Sequence, residues 1–202
     1  MGKRTFEANL RITSLKLLKD VESFTELGTK VVKIREMFGF TSEVVIEEVY
    51  SLEVLERITG NRLPRWVIGL SAGKRIWVLD KSKWENQKMD LAQLILHEFV
   101  HIAINGTVKK KVPVWLNEGL AVYLSGQYED YQLENSHIRT EMDFYQLAYE
   151  SQNLYIIAGK VVTALADEYG AEILIQELLN SEEIETNRIF NNENLNRVVK
   201  NR

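Results

Sequence analysis

Three ionisable side chains in the run Leu91 to Gly106, L-A-Q-L-I-L-H-E-F-V-H-I-A-I-N-G, have types and a spacing suited to metal-assisted hydrolysis: His97, Glu98 and His101. Residues four apart on an α-helix are rotated by only ~40° and sit ~6 Å apart along the axis, so two imidazoles can point at one ion. Glu98 lies at the edge of the same face, beside the ligand pair without being part of it. A zinc-activated water needs such a carboxylate to take its proton as it attacks a carbonyl. The pattern H-E-x-x-H also arises by chance, so its surroundings carry the argument. Asp90 followed by Gln93 reads as a capping box, and Asn105-Gly106 reads as a helix stop. Between them Leu91, Leu94, Ile95, Leu96, Phe99, Val100, Ile102 and Ile104 make the helix apolar nearly all round, as in a buried helix. Two histidines and a glutamate are costly there without a partner, and a metal is the economical one.

A tetrahedral catalytic zinc needs a third protein ligand and an open position. Val112 to Gly126, V-P-V-W-L-N-E-G-L-A-V-Y-L-S-G, reads as a second, shorter helix opened by Pro113 and stopped by Gly126. It carries Glu118 in its first turns, with room for an antiparallel return from His101. Taken alone, Glu118 is an ordinary solvated glutamate near a helix start. Beside the first motif it becomes the candidate third ligand.

H-E-F-V-H followed by W-L-N-E-G-L-A resembles the gluzincin metallopeptidases, the group of thermolysin and the zinc aminopeptidases, and more narrowly their small peptidase MA-like domains. The two motifs cover about a sixth of the chain. The resemblance implies His97, His101 and Glu118 as ligands of one zinc ion, with Glu98 as general base and later proton shuttle. It also implies a zincin-like α+β fold and a peptide or protein substrate. The run Leu154 to Gly170 resembles the helix that begins, in the aminopeptidases, with a tyrosine donating to the oxyanion; Tyr155 falls there, with Tyr149 as the fallback. A tyrosine packed on the core with its hydroxyl at the surface is the alternative. Two family features are missing. The aspartate that follows the third ligand by four residues in thermolysin-like sequences is Val122 here, so the groups orienting the histidines must come from elsewhere. G-L-S-A-G-K-R-I-W-V-L contains no glutamate of the kind that captures a substrate amino terminus, which leaves aminopeptidase specificity unsupported.

With 202 residues, 45% of them hydrophobic and 27% charged, the chain can bury a full core as one domain with two lobes. The absence of cysteine excludes a disulfide framework and a thiolate zinc site. A net charge of −4 gives no basic field for nucleic acid, and Lys109 to Lys111 read as a solvated loop. No apolar run approaches the ~20 residues of a membrane span, and the first ten residues lack the apolar stretch of a signal peptide. A cytoplasmic protein is expected, or an extracellular domain trimmed of its leader.

Taken in order, Ala8 to Thr13 reads as a strand. Ser14 caps a long amphipathic helix whose stripe is Leu17, Val21, Phe24, Leu27, Val31, Ile34 and Phe38. Glu43 to Tyr50 is a strand, and Ser51 to Thr59 a short helix. Trp66 to Leu70 and Arg75 to Leu79 read as two strands about a turn, the second being either the rim along which a peptide lies or an interior strand. After the two motif helices, Gln127 to Thr140 reads as a polar lid containing His137. Helices are expected over Glu141 to Glu150, Leu154 to Tyr169, Ala171 to Leu179 and Glu182 to Phe190 or beyond. The sum is a small, mixed, mostly antiparallel sheet with the motif helix over about 1–106, then a helical lobe over about 107–202, and a cleft between them. Hydrolysis of peptide bonds is the leading expectation. The alternatives are a binding or scaffold domain that keeps the metal, a latent enzyme whose segment Asn191 to Arg202 occupies the cleft, and a purely structural protein with no metal.

Overall fold

The computed structural model describes residues 7–20, 24–84, 90–129, 141–151 and 153–200. The chain divides into two compact units, Met1–Ala103 and Ile104–Arg202. His137 and all of the expected lid beyond Glu129 lie outside the described residues, as does Val21 of the amphipathic stripe.

The first unit is built on a four-stranded sheet in the order β1-β2-β4-β3, from β1 (Leu10–Ile12), β2 (Val44–Val49), β3 (Gly69–Ala72) and β4 (Arg75–Leu79). β1 and β2 pair in parallel, as do β2 and β4, and only β3 runs antiparallel to β4. The architecture is α+β and the sheet is mixed, but it is not mostly antiparallel. Parallel neighbours need a long crossover. The stretch after Ser14 supplies one, as α1 (Leu15–Asp20) and α2 (Phe24–Phe38), and α3 (Leu52–Thr59) lies between β2 and the β3-β4 hairpin. Leu17, Leu27, Val31, Ile34 and Phe38 of the amphipathic stripe are buried as its period requires. Capping follows the sequence closely. The Ser14 hydroxyl accepts from Leu17 N–H, and Gly60 closes α3 in the left-handed region at φ 71°.

The starts of β1 and β2 are aligned by one side chain. Arg35, on α2 and only 1% exposed, donates to the carbonyls of Ala8 (2.9 Å), Asn9 (3.3 Å), Phe40 (3.3 Å) and Ser42 (2.8 Å). Its guanidinium also lies 5.2 Å from the ring centre of Phe40 and 5.1 Å from that of Phe99. Burial pushes its pKa down, but a guanidinium stays charged in a protein.

Beyond the other end of β4, Lys16 reaches both Asp80 (2.7 Å) and Glu48 (3.5 Å), tying α1 to the sheet. The hydrogen bond from Lys16, with help from the Ser82 N–H, holds the Asp80 carboxyl down at about 2 from its ordinary 3.8. A depressed carboxylate contributes stability that is complete above its unfolded pKa and is lost as pH falls toward the folded one. Between pH 4 and pH 2 the unfolding temperature of the native chain is therefore expected to fall more steeply than that of D80N, as followed by circular dichroism. Equal slopes would mean that the ion pair contributes nothing.

The second unit is helical: α5 (Val114–Ser125), α6 (Leu154–Tyr169), α7 (Ala171–Asn180) and α8 (Asn192–Lys200). Its core gathers around Trp115, whose ring lies 6.3 Å from Phe144, 6.1 Å from Tyr145 and 6.3 Å from Phe190. Two expected helices are absent here. Over 141–150 there is only one 3-10 turn, Phe144–Gln146, because side chains take the backbone groups a helix would use. Asp143 accepts from Tyr145 N–H, Ser151 accepts from Ala148 N–H, and Asn196 holds both the N–H and the carbonyl of Met142. Residues 182–190 are turns for the same reason, with the Asn187 side chain accepting from Ile189 N–H and donating to Glu177 and Ser181. The last helix begins instead at Asn192, after Asn191 accepts from Asn194 N–H as its cap. It is docked through buried Leu195 and Val198, with Asn192 and Asn196 bonded to the 142–144 segment.

Candidate metal centre

Helix α4 (Leu91–Thr107) begins as its sequence dictates: Asp90 accepts from Gln93 N–H at 3.3 Å. It runs one residue past Gly106. Apolar residues bury it on nearly every side, Leu94, Ile95, Leu96, Phe99 and Val100 all being inaccessible or nearly so. One turn apart on this helix, His97 and His101 turn their Nε2 atoms toward each other at 3.1 Å, with the rings 80° apart.

Helix α5 carries the third group. Pro113 precedes its first turn, at φ −58° and ψ 146°, and Gly126 ends it in the left-handed region at φ 86°. Glu118 is not the solvated glutamate that its position alone would suggest: it is 3% exposed, as deeply buried as the apolar residues around it. One ligand atom each from His97, His101 and Glu118 lie within 4.8 Å of one another, a group able to hold a metal ion. His97 is 8% exposed, whereas His101 is partly accessible.

Close helix packing fixes α5 within its unit. A Cβ on Gly119, next to Glu118, would stand 2.5 Å from the Ala158 carbonyl oxygen and 2.5 Å from Val162 Cγ2, both on α6. One on Gly159 of α6 would meet Val122 Cγ1 at 2.9 Å. Val122, the position where thermolysin-like sequences have an aspartate, is spent on this contact and cannot orient a histidine. Glycines at 119 and 159 are what let the two backbones approach.

Glu98 is 8% exposed and accepts a hydrogen bond from the Ser71 hydroxyl at 2.8 Å. Ser71 belongs to β3, and sequence reasoning missed it. A serine in G-L-S-A-G carries no periodic or motif signal, and that stretch was informative only for the glutamate it lacks. β3 is also the outer strand of its sheet, so R-I-W-V-L, as β4, is the interior strand with neighbours on both sides. The strand begins at Gly69 rather than Trp66 because Val67 N–H is turned back onto the Pro64 carbonyl. Tyr155 stands in the first turn of α6, half buried, and Tyr149 ahead of it is 56% exposed.

No family model, no curated protein and no solved structure matches this chain. No helix among the described residues is long and apolar enough to cross a membrane.

Proposed function

We propose that this chain is a zinc-dependent peptidase of the gluzincin type with a zincin-like fold. The observation that carries the reading is the pair of Nε2 atoms at 3.1 Å with a buried Glu118 oxygen beside them. Two imidazole nitrogens bound tetrahedrally to zinc stand ~3.3 Å apart, close to the separation found here. Two imidazoles and one carboxylate are also a donor set that catalytic zinc sites use, and they leave a position for water. Bound there, zinc would polarise the scissile carbonyl and lower the pKa of a water toward ~7.

The remaining steps belong to the chain's own residues. The Glu98 carboxylate takes a proton from the attacking water and returns it to the leaving nitrogen. Tyr155 is the candidate donor to the oxyanion. Among the described residues no strand pairs with the outer side of β3, an edge that suits an extended peptide. Leu79 N–H donates to the Ile68 carbonyl at 2.8 Å, so by antiparallel alternation Leu70 and Ala72 bond β4 and the peptide groups of Gly69 and Ser71 turn outward.

The test is elemental analysis of purified protein together with hydrolysis of a peptide library. About one zinc per chain, lost in H97A, and cleavage abolished by a chelator and restored by zinc are expected. Protein that carries no divalent metal even after incubation with zinc would end the proposal. Metal without cleavage would favour the binding-domain alternative.

A further inference from the structure

We infer that Ser71 is a positioning residue for Glu98, fixing the carboxylate against the edge strand. The inference rests on the reading of Glu98 as the base. Its own ground is a match between two periods. On β3, Gly69 and Ser71 are two apart and so present the same face; on α4, Leu94 and Glu98 are four apart and also share a face. A Cβ on Gly69 would lie 3.0 Å from Leu94 Cδ1, and Ser71 Oγ lies 2.8 Å from Glu98 Oε2. The strand therefore rests on the helix at two points, a steric one at Gly69 and a polar one at Ser71.

A glutamate has three rotatable bonds, and a base must be held in one arrangement to act within hydrogen-bond reach of its proton. Burial of Glu98 to 8% exposure limits the bulk water that can compete for its oxygens. The Ser71 hydroxyl satisfies one of them and fixes the carboxylate's direction. Because Ser71 also turns its own peptide group outward, the strand offered to the substrate and the base are held by the same residue.

Two readouts test this. In kinetics, S71A is expected to lower kcat roughly 10-fold with KM little changed and zinc content intact, while S71T, which keeps the hydroxyl, restores most of the rate. In thermal denaturation of the metal-free protein, S71A is expected to lower Tm by ~3 °C in the native background and not at all in E98A. An equal drop in both backgrounds would show that Ser71 does not act on Glu98, and S71A at full kcat would show that its contact does not serve the base. Should the native chain prove to hydrolyse nothing, the peptidase reading falls by itself. The denaturation cycle then still decides whether the two side chains are coupled.

Discussion

E98Q is expected to keep its zinc and lose its hydrolysis. The amide has the size of the carboxylate, and its oxygen can still accept from the Ser71 hydroxyl now 2.8 Å from Glu98, so the side chain should stay where it is. What disappears is affinity for a proton. General-base assistance is worth ~10²–10⁴-fold, and kcat/KM should fall by about that much. The metal content, read in parallel, should match the native chain, because Glu98 is absent from the group formed by His97, His101 and Glu118. Full activity in the variant would remove Glu98 from the mechanism.

A second substitution strikes far from the metal. Arg35 satisfies four backbone carbonyls from the two segments leading into β1 and β2. R35M fills similar space but donates nothing, which leaves the buried Phe40 carbonyl without the guanidinium and strips the half-buried Ala8 and Ser42 carbonyls of theirs, while Asn9 keeps the Val44 N–H. An unsatisfied buried group costs ~1–3 kcal/mol and a half-buried one less, so a loss of ~3 kcal/mol in all is expected. For a chain of this size that corresponds to a drop of roughly 10 °C in Tm, measurable by calorimetry. A drop of only a degree or two would mean that the strand ends are held by something else.

The two predictions divide along what the sequence could convey. Local features were legible: the capping pair Asp90 and Gln93, the bounds Pro113 and Gly126, and the turn-by-turn spacing of His97 and His101 all act within a few residues. Glu118 needed the motif beside it, since its burial follows from packing around α5 and not from its neighbours in the chain. Long-range features were not legible. Nothing in V-V-I-E-E-V states that its neighbours run parallel to it, and nothing in α2 marks Arg35 as a ligand for carbonyls beyond both ends of the helix. The side chains that stop helices at 141–150 and 182–190, Asp143, Ser151, Asn187 and Asn196, make bonds that a purely hydrophobic period does not count. Ser71 belongs with these, because its partner is 27 positions away.

Gly69 has a consequence for how the outer strand behaves under load. A four-residue strand bonded along one side is free to creep when another chain pairs with the other. Here the hairpin loop Gly73-Lys74 sets β3 against β4, and the hydrogen-sized gap over Leu94 acts as a detent against α4. A slip of two places would bring Val67 or Ser71 onto Leu94, and a slip of one would turn every side chain to the opposite face. A peptide pairing with its outer side would therefore meet a strand whose own alignment is already set.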